Sequence, residues 1–525
     1  MCTLPLVRLI QRARLALAPA APALLAAAVV LPGCAVGPDF SRPPLPRVDS
    51  YVRADGATTF EAAGAAQTLR PGVPVRNDWW TQFGCKEIDS AVDDALTGNA
   101  TLAQAEASLQ RADHQLRAGA GIFYPQVAAG AGASRQRYAP LHLGSEATPY
   151  LFNLFTLSAS VSYAIDLWGG NRRLVEQLAA QRDAQRYALE AAYLTIASNV
   201  VNTMIARAAW HDEIDATREM IELVREQVRI SRERAIAGTA AYAAVLTLEN
   251  EQATLEASLP VLQQKLAQAA DLLATLTGAL PAQWSAPAFS LQDVALPADL
   301  PQTVPSELVR QRPDVLQAEA LLHAASAGVG VATAAMLPNI TLSAGGGLAG
   351  TSVATLGARA GQSWDLAADA TAPLFQGGTL WYGRKAAQDA YDASRAQYRQ
   401  TVLGAFAQVA DVLYALEYDA GALDAQTRAL VAAREALRLL RADYRAGTVD
   451  YLQILVADGQ LHQAQIAWLE ADAQRLQDTV ALYAALGGGW HDAEQAPGGI
   501  SSLDSNQGLK TVRSDDGQRA PGIAG

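Results

Sequence analysis

The side chain with the clearest promise of chemistry is the thiol of Cys34. It closes the run Leu31-Pro32-Gly33-Cys34, downstream of Arg8, Arg12, Arg14 and a mostly apolar stretch from Leu15 to Leu31. A basic start, an apolar core and small residues make a secretory signal. A cysteine at its end is the acylation site of a bacterial lipoprotein signal. Residues 1–33 therefore read as the signal, and Cys34 as the lipidated N-terminus of the mature chain. Pro19, Pro22 and Pro32 argue against an uncleaved spanning helix, because each removes a backbone donor. Ala35 after the cysteine, in place of Asp, implies delivery to the outer membrane.

The other reactive residues assemble no catalytic or metal-binding set. Cys2 leaves with the signal and Cys85 stands alone, so neither a disulfide framework nor a zinc spacing is available. The six histidines include no HExxH, and four methionines give no soft-metal relay. No Gly-rich phosphate loop and no Ser-His-Asp order stands out, so nothing supports an enzyme. No cofactor is expected beyond the covalent lipid on Cys34. The chain carries 40 basic and 52 acidic residues, a net charge of −12, and the signal removes three arginines and no acid. Such an acidic protein is a poor candidate for binding nucleic acid.

The elements that would carry this anchor are duplicated. Ile214, Ile221, Val228 and Ala235 recur every seven residues and end at Ala237-Gly238-Thr239; Leu423, Leu430, Leu437 and Tyr444 do the same and end at Ala446-Gly447-Thr448. Each member is offset from its counterpart by 209 positions, and Leu246 with Leu455 continues the match. Gly169-Gly170 and Gly377-Gly378 repeat at nearly the same offset, as do Tyr124-Pro125 and Leu337-Pro338. Heptad spacing means helices that pack along a seam and supercoil. The 67 proline-free residues between Gly170 and Gly238 would make one helix about 100 Å long. The second half repeats it from Gly378 to Gly447, and each long helix returns, to Gly278 and Gly487. In each Gly-Thr turn the glycine is expected in a left-handed conformation and the threonine as the cap of the next helix. Further helices are expected over 88–120 and 306–335.

Four segments alternate instead with a period of two. Phe155, Leu157, Ala159, Val161, Tyr163, Ile165 and Leu167 interleave with Thr156, Ser158, Ser160, Ser162 and Asp166. Ile340 to Leu348 and Trp364 to Leu374 behave alike, and Phe123 to Arg135 is a weaker fourth. One small, polar face and one apolar face fit transmembrane β-barrel strands. Four strands cannot close a barrel, and open edges in lipid leave backbone groups unpaired, so the barrel must be shared between chains.

At this point the motifs resemble those of the TolC/OprM-type outer-membrane factors, in the lipidated NodT-like branch. The matching residues are Cys34-Ala35-Val36-Gly37-Pro38-Asp39-Phe40, Asp78-Trp79-Trp80 with Phe83, Asp166-Leu167-Trp168-Gly169-Gly170, Arg310-Gln311-Arg312-Pro313-Asp314 and Tyr444-Arg445-Ala446-Gly447-Thr448. The resemblance covers Cys34 to about Leu486. It implies a mainly α fold with transmembrane β: a homotrimer sharing a twelve-stranded barrel, four strands per chain. Below it runs a long periplasmic α-helical coiled-coil barrel. It further implies a passive exit duct for an inner-membrane pump, of RND type, and a periplasmic adaptor that contacts the tips Gly238, Thr239, Gly447 and Thr448. A gate is implied at Asp450, Leu452 and Val456. Relatives usually show Asp at the position of Val456, so Asp450 or Asp458 is the expected source of any acidic ring.

The domains read as a signal over 1–33, a lipid-anchored N-terminal belt over 34–85, a first repeat over 86–280, a second over 306–487, and a disordered tail over 488–525. Two rival readings are a periplasmic coiled-coil adaptor lipoprotein and the exit channel of a type I protein-secretion system. An adaptor lacks the duplicated strands, and usually has a lipoyl-like β domain flanking its hairpin. The exported compound is not written in the sequence.

Overall fold

The computed structural model describes residues 35–44, 48, 50–52, 57–139, 148–303 and 305–489. The signal over 1–33, Cys34 and the tail from 490 onward lie outside the described residues.

Two helical hairpins of matched size form the long body of the molecule. The first joins α3 (Gly170–Ile236, 67 residues) to α4 (Tyr242–Leu276, 35 residues). The second joins α7 (Thr379–Arg445, 67 residues) to α8 (Tyr451–Ala485, 35 residues). Each long helix starts just after a left-handed glycine, Gly169 or Gly378, and spans about 100 Å. The heptad residues Ile214, Ile221, Val228, Leu423, Leu430 and Leu437 are all buried.

The shorter helices differ from expectation in one respect. The segment expected as one helix over 88–120 is two, α1 (Lys86–Gly98) and α2 (Ala100–Ala120). Asn99 makes the break: its Oδ1 accepts from the amides of Thr101 and Leu102, which starts a new helix. Its Nδ2 donates to the Leu276 carbonyl at the end of α4. Likewise 306–335 divides into α5 (Pro305–Gln311) and α6 (Pro313–Ala334), because Pro313 favours an extended residue before it.

Beyond the outer ends of α2, α3, α6 and α7 stands a four-stranded antiparallel sheet. Its strands are β3 (Gln126–Tyr138), β4 (Tyr150–Ile165), β6 (Asn339–Gly350) and β7 (Gln362–Thr371), in the order β3-β4-β6-β7. Continuous register, such as Val161 opposite both Val127 and Ala344, puts Val127, Ala129, Leu157, Val161, Leu342, Trp364 and Leu366 on one face. Gly130, Ser158, Ser160, Ser343, Asp365 and Asp369 occupy the other. Both edges, β3 and β7, are unpaired among the described residues.

A second, three-stranded sheet lies at the waist. Residues read as extended belt fold into a hairpin, β1 (Thr59–Ala62) with β2 (Ala65–Pro71), and β2 pairs in parallel with β5 (Asp299–Gln302). The buried Arg475 of α8 binds this hairpin through the carbonyls of Phe60 and Ala62 and the Gln67 side chain. The main core lies here too, with Trp79 stacked on Tyr483 at 5.3 Å and Phe83, Ile88 and Met204 fully buried.

Candidate functional site

The two hairpin tips are built alike, hydrogen bond for hydrogen bond. Gly238 (φ 70°) and Gly447 (φ 77°) are left-handed, as each turn requires. The Thr239 amide and hydroxyl both donate to the Arg234 carbonyl, and Thr448 does the same to Asp443. The threonines therefore close the preceding helix, which corrects their expected role as caps of the next one. Two residues still separate each threonine from that helix, whereas the carbonyls just behind it have lost their helical donors. The flanking position of α8 belongs instead to Asp450, whose Oδ1 accepts from the Tyr451 amide at 2.6 Å.

Chemically the tips differ. From Ala235 to Leu248 the first carries no charge, and Ile236 is 88% exposed. The second presents Asp443, Arg445 and Asp450. The tips are tied together by Arg234, which donates to the Tyr444 hydroxyl at 2.7 Å and lies 5.8 Å from the Tyr451 ring. Tyr444 and Tyr451 pack at 5.5 Å.

One turn into α8 the residues sort by face. Leu455 packs with Val224, Val228 and Leu248 of the first hairpin, while Ile454 and Ala457 pack with Leu437 of α7. Leu452 and Val456, four residues apart on the remaining face, are 56% and 53% exposed. Neither joins the two clusters that hold Leu455, Ile454 and Ala457. Asp458 turns inward: at 4% exposure its Oδ1 accepts from Arg441 at 2.9 Å and its Oδ2 from Gln227 at 3.2 Å. Burial pushes its carboxyl up, against the pull of Arg441. Asp458 thus ties α8 to α7 and α3 and is not free to line an opening; of the two expected sources of an acidic ring, Asp450 is the exposed one. The Asp458 and Arg234 contacts escape sequence reasoning because their partners lie as far as 231 positions away.

At the opposite end, residues 35–44 form a strap beside the sheet–helix junction. The Val36 amide donates to the Trp168 carbonyl at 2.9 Å. The buried Arg173 binds the Val36 carbonyl, Asp39 at 2.5 Å and Glu176 at 2.8 Å. Glu176 also meets His323 at 2.8 Å, and Phe40 stacks on that imidazole at 4.4 Å. Arg42 pairs with Glu319 at 2.7 Å. Gly37 is left-handed, and a Cβ there would lie 2.4 Å from the Gly330 Cα. Asp166 holds the start of α3, accepting from the amides of Asn171 and Arg172. These contacts set Ala35 where the sheet meets the helices.

Comparison with known proteins agrees with this geometry. The family model described as "Outer membrane efflux protein" matches residues 91–279 and 304–488. The pyoverdine export outer membrane protein OpmQ of Pseudomonas aeruginosa is 30% identical, covering 85% of this chain and 94% of that protein. The cation efflux system protein CusC of Escherichia coli K12 is 27% identical, covering 88% and 98%. Among solved structures, the outer-membrane channel OprN superposes with a TM-score of 0.77 at 26% identity, covering 87% of this chain and all of that one. The chain belongs to the outer membrane efflux protein family.

Proposed function

We propose that the protein is the outer-membrane component of a tripartite efflux system, a passive duct for cargo delivered by an inner-membrane pump through a periplasmic adaptor. The observation that carries this reading is the four-stranded sheet: one apolar face, one polar face, two open edges, continuous with helices about 100 Å long. Unpaired edges are prohibitive in lipid, so the sheet closes with those of other copies. Three copies give a twelve-stranded barrel, and their hairpins continue it as a periplasmic tunnel. Cys34 carries the lipid that anchors each subunit, and the strap of residues 35–44 that follows it lies beside the sheet–helix junction.

The tips Gly238-Thr239 and Gly447-Thr448 receive the adaptor. The uncharged first tip offers an apolar contact and the second a polar one, which suits a partner that meets both. Leu452, Val456 and Asp450 narrow the resting tunnel: a ring of leucines opposes ions by dewetting, and Asp450 favours cations. The relatives' names mention pyoverdine, cations and toluene, so the duct is tolerant and the pump, read as RND type, selects. The adaptor and type I secretion readings are less favoured, since the similar proteins are named as outer membrane export or efflux proteins or as an outer-membrane channel.

Single-channel recording tests the duct and its gate together. Leu452→Ala with Asp450→Ser is expected to raise conductance several-fold and to sensitise cells to large antibiotics. Conductance unchanged in both single variants and the double would move the constriction elsewhere.

A further inference from the structure

The ionisable residues of the four strands other than tyrosine segregate by face and by sign. β4 and β6 carry none, β7 carries Asp365 and Asp369, and β3 carries Arg135 and Arg137. Register places both acids on the serine-rich face, with Asp365 opposite Gly345 and Asp369 opposite Thr341. Arg135 is paired with Asn153 and Arg137 with Leu151, so both arginines share the apolar face with Val127, Ala129, Ala131 and Ala133. No acidic side chain lies on that face of the sheet.

Their height is as specific as their face. Eight residues separate Val127 from Arg135, about 26 Å along the strand at ~3.3 Å per residue. With a strand tilt of about 40° this is roughly 20 Å along the membrane normal, close to the ~25 Å height of a barrel's apolar band. The sheet itself agrees: β6 ends at Gly350, opposite Phe155, so the arginines begin where β3 and β4 continue alone. Two guanidiniums therefore stand on the outer wall, at the outer margin of the apolar band, at the end of the sheet away from the helices. A planar, always-charged fork on a long apolar stem at that depth is suited to phosphate oxygens of lipid headgroups.

We infer that Arg135 and Arg137 form a lipid-phosphate clamp on the outer rim of the barrel, repeated in each subunit, which grips the outer leaflet as the anchor on Cys34 grips the inner one. This rests on the barrel reading above. Spaced two apart on a strand, the two arginines leave the backbone about 7 Å apart, and their long side chains reach one doubly phosphorylated headgroup or two neighbouring ones.

The test uses the full-length protein in phosphatidylcholine vesicles with and without phosphatidic acid, and in the phosphatidic acid vesicles with inorganic phosphate added to the buffer. Lipid retained by the released oligomer is read by native mass spectrometry. Wild type is expected to retain phosphatidic acid in several-fold excess over its share of the vesicle. Arg135→Gln with Arg137→Gln should abolish the excess while still forming oligomers in phosphatidylcholine, and Arg135→Lys with Arg137→Lys should keep part of it. Equal retention by wild type and the Gln variant overturns the clamp, as does competition by inorganic phosphate that removes the excess. Failure of wild type to form any oligomer in either vesicle overturns the barrel, and the clamp with it.

Discussion

Glu213 on α3 shows what burial does to a single carboxyl in this fold. It is 4% exposed, and burial together with the nearby Glu470 carboxylate pushes it from 4.5 to about 7, against the pull of Lys265. Between those values the native protein holds a proton that the unfolded chain has lost, so stability falls as pH rises through that window. The full effect is on the order of 3 kcal/mol. Glu213→Gln should flatten the pH dependence and raise the melting temperature at pH 8 by a few degrees, followed by circular dichroism at pH 5 and pH 8 in detergent. An unchanged pH dependence would mean that Glu213 is ionised in the folded protein. Single residues are unevenly legible in the sequence. The left-handed Gly238 and Gly447 of the tips follow from local spacing, whereas Leu452 is pointed out only by the family resemblance. The inward turn of Asp458 follows from neither, because it depends on Arg441 and Gln227 arriving from other helices.

Elements are more legible than residues, because each long helix declares itself through its heptads and its lack of proline. Both breaks in the shorter helices come from local competition: Asn99 offers its own oxygen to two amides, and Pro313 restrains Arg312. The waist hairpin of β1 and β2 is hidden because its strands are short and its partner β5 is some 230 residues away. The strap is the element whose geometry is most sensitive to one atom. Gly37→Ala would place a methyl 2.4 Å from Gly330 Cα in a backbone conformation that alanine disfavours, a strain of about 1–3 kcal/mol. Proteolysis within residues 35–44 should accelerate on the order of tenfold while helical content is unchanged. Cleavage at the wild-type rate would show that the strap holds without this close approach.

At the scale of the whole molecule, the subunit is unfinished by its own physics. An apolar sheet face and two open edges at one end, and exposed Leu452, Val456 and Ile236 at the other, are surfaces that a lone chain in water would not leave bare. The need for other copies is legible in the amino-acid sequence, since four alternating segments cannot close a barrel. The number of copies is not, because a strand pattern repeats identically in each chain. The exit-duct function therefore stands or falls on assembly, and native mass spectrometry of the full-length protein in mild detergent is the direct measurement. It should give a trimer, each subunit lacking residues 1–33 and carrying acyl chains on Cys34. A stable monomeric barrel, or a dimer closing on eight strands, would contradict it.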